Sequence, residues 1–369
     1  MNKTYVKKGL AVAVILLFFS VSVVPSTGTI SIKQPTVANL DGNTLYVGGD
    51  GTGNYTKIQD AIDNASNGDT VFVYRGIYSH FFPTNPNDYH SCVSITHSIS
   101  LIGEDKNDTI INGSGRYDVI KISNTENITI SGFTLQNGGT PGTTLYGRGI
   151  IIWQSDNVKI YNNIVQGNKI GFYIDNPEEN ISIFDNIIQE NDNGISIKNH
   201  PVLVKVFCNV ITNNKLGIEL IRAISCSVYE NIISYNDVGI YLQTSSLNII
   251  EYNQIEGNDV GISAYEGNGT TQFNNFINNN KHAYFNKDVI LRKLDLINSN
   301  NQHWNGNYWD DWKGDIPRVI IGKMTIYILI WILWFPTITW VLMPIPIARL
   351  PSFQYDWHPA SEPYDIGVV

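Results

Sequence analysis

Charge is scarce in this chain. Asp, Glu, Lys and Arg make up 15% of its 369 residues and sum to −9, with no basic stripe, which excludes a nucleic-acid surface. Cysteine is nearly absent too, and three residues cannot build a disulfide framework. Cys226 falls at an inward strand position and Cys208 does not stack over it, so free thiols are expected. The methionines are Met1, Met324 and Met343, too dispersed for a soft-metal site, and the seven histidines show no ligand spacing. His80, His90 and Cys92 share one insertion, 79–92, which is expected to be a solvated loop. No metal site is predicted and no cofactor is required, with copper and calcium left open.

Asparagine and glycine fill the space that charge leaves. The pattern Asn-x-apolar-x-x-Asn recurs six times, starting at Asn163, Asn186, Asn209, Asn231, Asn253 and Asn275, at intervals of 22 or 23 residues. The second asparagines are Asn168, Asn191, Asn214, Asn236, Asn258 and Asn280. A glycine follows eight residues after the first Asn in five copies: Gly171, Gly194, Gly217, Gly239 and Gly261. A fixed period of this size means stacked supersecondary units. Each unit holds three short apolar runs dominated by β-branched residues, with Asn and Gly turns between them and no run long enough for a helix. The predicted fold is all-β: a right-handed parallel β-helix of about nine to ten coils and about 45 Å length. The first asparagines are expected to form a hydrogen-bonded ladder at a bend that tolerates left-handed angles. The glycines are expected to supply positive φ before the third strand. Phe133 stands where an earlier coil would carry its Asn. Tyr161, Phe184, Phe207, Tyr229 and Phe273 form a predicted packing stack.

The ends differ from the repeat. Residues 1–28 have a basic start (Lys3, Lys7, Lys8), an apolar run and a small-residue exit, which predicts a cleaved export signal. A linker over 29–43 follows, then the β-helix over 44–300. Thr56-Lys57-Ile58-Gln59 has the form of a capping box opening a short helix that covers the first coil. Residues 301–369 break the repeat with a Trp-rich segment and an apolar stretch, 325–343. That stretch has membrane-helix length, but Pro336 interrupts it and Lys313, Arg318 and Lys323 flank the wrong side. A cap of extended segments is the expectation, and a membrane contact is expected only through the export signal or, less readily, 325–343.

With Asn163-x-Val165-x-x-Asn168 and the Gly-Ile pairs at 194–195, 217–218, 239–240 and 261–262, the repeat resembles NosD-like right-handed β-helix proteins. The segment Gly49-Asp50-Gly51-Thr52-Gly53 through Ile62 is similar to the entry of pectin-lyase-like β-helices. The ending Gly306-Asn307-Tyr308-Trp309-Asp310-Asp311-Trp312 is similar to the tail of exported archaeal NosD-like proteins. The resemblance covers about residues 44–312. It implies an extracytoplasmic place at the cell surface, a carbohydrate or surface-layer role and, for the family's namesake, assistance to a copper centre.

Two outer faces carry candidate chemistry. Asp237 and Asp259 fall at equivalent turn positions of neighbouring coils, close enough for coupled titration as in paired-carboxylate hydrolysis. Their column also holds Lys169, Asp192, Lys215 and Lys281, and an alternating charge ladder that supports register is the simpler account. The Gly-His-Gly and Arg-x-Lys signatures of polygalacturonases are missing, as is the arginine pair of pectate lyases. The third-strand face carries Trp153, Tyr173, Glu219, Tyr241 and Tyr265, aromatic and carboxylate groups that can stack on sugar rings and bond hydroxyls. The leading expectation is a non-catalytic, monomeric protein that binds polysaccharide or cell-envelope glycan. A polysaccharide lyase or hydrolase is the alternative, and a copper-centre accessory protein the third reading.

Overall fold

In the computed structural model, residues 42–79, 91–139, 147–177, 179–201, 203–292, 295–298, 300–312, 316–334 and 339–366 are described. The export signal, most of the linker, and His80 and His90 lie outside them. Ten short strands, from Gly76–Ser79 to Tyr308–Trp309, pair in parallel as one sheet of a right-handed parallel β-helix. The first and third strands of each coil build a second, larger sheet of 21 strands. Pairing is in register from coil to coil, as in Phe172–Ile195, Ile195–Ile218 and Ile218–Ile240. Equivalent side chains therefore sit about 4.8 Å apart. The columns of Ile, Val and Leu that alternate along the strands close the interior, and most are fully buried.

The ladder forms, with a one-residue correction at its end. Asn163 Nδ2 donates to Asn186 Oδ1 at 3.1 Å, and the pattern repeats through Asn209, Asn231 and Asn253. The next member is Asn274, whose Oδ1 accepts from Asn253 Nδ2 at 2.9 Å; Asn275 is a strand residue paired with Gln254. Asn279 likewise replaces Asn280 in the second ladder. The last period is one residue shorter, and an Asn274-Asn275 doublet followed by three asparagines at 278–280 offers an Asn in either register. Phe273 consequently leaves the aromatic stack of Tyr161, Phe184, Phe207 and Tyr229 and stacks on Tyr252 at 5.3 Å.

Two further expectations change their cause. The left-handed residue is the one before each ladder Asn: Asn162, Asp185, Cys208, Glu230, Tyr252 and Phe273 all have φ between 53° and 56°. The glycine column has ordinary φ and is required by close approach instead. A Cβ on Gly217 would lie 2.5 Å from the Gly239 carbonyl oxygen and 3.3 Å from Asn236 Nδ2.

At the N-terminal end the helix Ile58–Asn64 buries Ile58, Ala61 and Ile62 against the first coil. No side chain caps it. Gln59, expected in a capping box, instead accepts from Ser94 N at 2.8 Å and donates to Ser94 O, fastening the helix to the strand Ser91–Ile95. At the other end the coil continues past residue 300 through Asn300–Asn305 and Tyr308–Trp309. Phe276 and Trp309 stack at 4.2 Å over the open core. The apolar stretch is a long antiparallel hairpin, Arg318–Trp334 with Thr339–Asp356. Among the described residues no helix is long and apolar enough to cross a membrane.

The hairpin returns Asp356 to the ladder's last donors. Asp356 is fully buried. Its Oδ2 accepts from Asn307 N, Asn307 Nδ2 and Trp309 Nε1 at 3.0–3.1 Å, and its Oδ1 from Gly306 N and His358 N. Every amide in the column donates toward the C-terminal end, so a carboxylate is the matching terminus.

Candidate functional site

The third-strand face carries two outward columns. One runs Tyr173, Ser196, Glu219, Tyr241, Ser263 and Tyr284; the other runs from Trp153 through Asp175, Lys198, Ile221 and Gln243 to Tyr265. All five residues singled out from the sequence thus share this face, but their states differ. Glu219 is 7% exposed; Ser196 Oγ donates to its Oε2 at 2.6 Å, and Asn193 Nδ2 and Lys198 Nζ lie at 3.1 and 3.0 Å. Its carboxylate is an internal counter-ion, and the expectation that it meets a ligand is withdrawn. Asp175 is similarly held by Tyr173 Oη at 2.8 Å and Asn199 Nδ2 at 2.7 Å. Burial, then the bond to Asp175, pushes the Tyr173 phenol up to about 12. Tyr173 also lies under the Arg148 guanidinium at 4.8 Å. Trp153 and Tyr241 keep ring surface in solvent.

Asp237 and Asp259 are exposed on turns of neighbouring coils, away from this face. Asp259 accepts from Asn280 Nδ2 at 2.8 Å, and Lys215 is paired with Asp192 at 2.5 Å in the same column. That geometry is a surface charge ladder.

The aromatic columns run into a cleft of about 1100 Å³ at the C-terminal end, between the last full coil and the hairpin. Tyr265, Lys281, Tyr284, Asp288 and Arg318 line it. Tyr265 Oη donates to Asp288 Oδ2 at 2.6 Å, a bond that together with burial holds its phenol above the ordinary value. Lys281 Nζ sits 4.7 Å over the Tyr284 ring.

The floor holds a cluster that sequence reasoning missed. His282 Nε2 is 2.8 Å from Asp310 Oδ1 and 3.2 Å from Asp311 Oδ1, and Arg318 Nη2 is 2.7 Å from Asp311 Oδ2. In the corrected register His282 ends the glycine column, where a side chain fits because the stacked Gly column stops. Counting from Asn275 instead of Asn274 hides this, since position +8 then falls on Ala283. Burial holds the imidazole below its ordinary value against the upward pull of Asp311 and Asp310.

The second ladder sets the tautomer. Asn279 Oδ1 accepts from Asn258 N and Nδ2, and its Nδ2 donates to Ile255 O, so the amide has one orientation. Its Nδ2 therefore faces His282 Nδ1 as a donor at 3.2 Å. Nδ1 accepts, and Nε2 carries the proton toward Asp310.

The fold and this face define an all-β, right-handed parallel β-helix with a shallow aromatic strip and an end cleft. Family models for "Periplasmic copper-binding protein (NosD)" match residues 62–202 and 106–314, more than half the chain, and the chain belongs to that family. No curated protein sequence matches it. Among solved structures it is similar to the A-module of the Azotobacter vinelandii mannuronan C-5 epimerase AlgE6 (17% identity, 68% of this chain, 81% of that one, TM-score 0.45). The AlgE4 A-module of the same organism gives 18%, 62%, 76% and 0.43, and Aspergillus niger pectin methylesterase 14%, 60%, 80% and 0.40. At these values nothing of those enzymes' chemistry is carried to this chain.

Copper, named in the family description, does not fit the described donors. His282, Asp310 and Asp311 are the one group of three whose ligand atoms converge among the described residues. The ladder occupies Nδ1 and so leaves the proton on Nε2, the atom a metal would need, and Arg318 already neutralises Asp311. The three cysteines are free, and burial pushes Cys226 up to about 11 and Cys208 up to about 12, which disfavours the thiolate a soft metal needs at those two positions.

Proposed function

We propose that the chain is an extracytoplasmic protein that binds a cell-envelope polysaccharide along the third-strand face without catalysis. The observation that carries this is placement: Trp153, Tyr173, Tyr241 and Tyr265 share one face, separated by polar positions such as Ser196, Lys198 and Gln243, and the two columns end at the cleft lined by Tyr265 and Tyr284. The family's periplasmic description supports the location. Stacking on exposed rings gives affinity, and the fixed amides and Lys281 give orientation. Binding to a panel of bacterial and archaeal envelope glycans is the test. Tyr241→Ala and Tyr284→Ala are each expected to weaken binding about tenfold, from the loss of one stacking ring. Absence of binding, or binding indifferent to these changes and to Trp153→Ala, overturns the reading.

The cleft also gives the enzymatic alternative its one supporting observation, since Asp310 and Asp311 face space large enough for a sugar. Product release from uronic-acid polymers, abolished by Asp311→Asn with binding retained, would establish that alternative in place of ours.

A further inference from the structure

We propose that a second cleft, between the C-terminal hairpin and the strands Lys281–Arg292 and Asn300–Asn305, binds a single sugar bearing an anionic substituent, carboxylate or phosphate. The cleft holds about 260 Å³ and shares no lining residue with the larger one at Tyr265 and Tyr284. It lies apart from the third-strand face, so what binds there does not depend on how that face is read. Its volume falls just below the range of drug-sized sites, which suits one sugar and not a chain.

The strand pairing decides which side chains meet. Lys287 pairs with Met324 of the hairpin, and Trp304 with Asp356, which brings Asn300–Asn305 alongside the hairpin's second strand. Along Lys281–Arg292, Tyr284, Asn286 and Asp288 line the larger cleft, while the alternate residues Phe285 and Lys287 line this one. Lys287 therefore points away from the third-strand face. Among the described residues that line the cleft there is no carboxylate. The acids next along the chain are engaged elsewhere: Asp288 accepts from Tyr265, and Asp356 is buried among donors from Gly306, Asn307, Trp309 and His358. Burial holds the Lys287 ammonium below its ordinary value, where a carboxylate at its side would pull it up. A half-buried ammonium facing an open cleft of this composition is matched by an anion from outside.

The mouth adds the second requirement. Tyr355 and Trp357 are 41% and 62% exposed, with ring centroids 5.3 Å apart and planes tilted by 36°. Such rings offer apolar faces for the C–H side of a sugar. Ser352 and His303 bring a hydroxyl and an imidazole to the same cleft, partners for sugar hydroxyls. An inorganic anion would use Lys287 and leave the rings bare. A neutral sugar would cover the rings and leave the ammonium unmatched. A sugar with one acidic substituent satisfies both.

The test titrates the full chain by calorimetry with methyl β-D-glucuronide, glucose 6-phosphate, methyl β-D-glucoside and inorganic phosphate. At least one charged sugar is expected to bind about tenfold or more tightly than both the glucoside and inorganic phosphate. The better of the two identifies the substituent. Lys287→Gln is expected to abolish this preference and Lys287→Arg, which keeps the charge, to preserve it. Trp357→Ala is expected to weaken the charged sugar about three- to tenfold. Tyr241→Ala is expected to leave it unchanged, so failure here is distinguishable from failure of polysaccharide binding on the third-strand face. Inorganic phosphate or the glucoside matching the charged sugars overturns the proposal, as does a preference that survives Lys287→Gln. Loss of the preference in Tyr241→Ala overturns it too, by placing the anionic sugar on the third-strand face.

Discussion

Replacing Asp356 by Ala should detach the C-terminal end of the β-helix while leaving the middle intact. Four buried donors, Gly306 N, Asn307 N, Asn307 Nδ2 and Trp309 Nε1, converge on that carboxylate, together with the part-buried His358 N. A buried donor left without a partner costs about 1–3 kcal/mol, so the low end for the four is about 4 kcal/mol. That approaches the whole margin of many domains. In a stacked repeat, however, coils separate from the end inward, and the loss is expressed locally. Asn at 356 keeps one oxygen for three of the donors and turns its NH₂ against Gly306 N and His358 N, which sets an intermediate cost of about 2–4 kcal/mol. Hydrogen exchange read by mass spectrometry separates these outcomes. Peptides over 300–312 and 350–360 should lose protection in the order native, Asp356→Asn, Asp356→Ala, with 160–220 unchanged. If Asp356→Ala leaves 300–312 protected and the melting midpoint unmoved, the carboxylate does not terminate the ladder and the argument fails.

Three other expectations follow from the same geometry. Gly217→Ala should destabilise by about 1–3 kcal/mol through overpacking against the Gly239 carbonyl, read by denaturant unfolding; a stabilised variant would mean that the glycine acts through the unfolded chain. Asn274→Ala should loosen exchange in both flanking coils, whereas Asn275→Ala should release only the tail near Tyr364, whose N and O it bonds at 2.8 and 2.7 Å; matching patterns would refute the register shift. Because burial lowers the folded His282 below 6.5, the unfolded chain binds more protons just under that pH, and stability should fall as pH drops from 6.5. His282→Gln should flatten the fall in urea midpoints between pH 7 and 5, and an unchanged slope would place the effect on other groups.

The period of 22 to 23 residues settled the architecture, because an apolar side chain every second position in three short runs has only one way to be buried, against its own copies above and below. The asparagines were legible for the same reason: an amide repeated in register must meet its equivalent. Causes were harder than patterns. Gly217 could serve either a positive φ or a close approach, and only the position of the next coil's carbonyl distinguishes them. Asn274 and Asn275 are chemically identical, so the choice between them was made by which one reaches Asn253 while the other bonds Tyr364. Glu219 looked available as an outward position, yet Ser196 and Lys198, a full coil away in sequence, close over it.

The sequence by itself determined the coil, its interior and the face on which rings would be displayed, since these follow from local alternation repeated at a fixed spacing. Only the tertiary structure decided where the ladders stop. Asp356, His282 and Asp310 carry no period, and their roles arise because a hairpin and a last half-coil return distant chain to donors that the final repeat leaves without a successor.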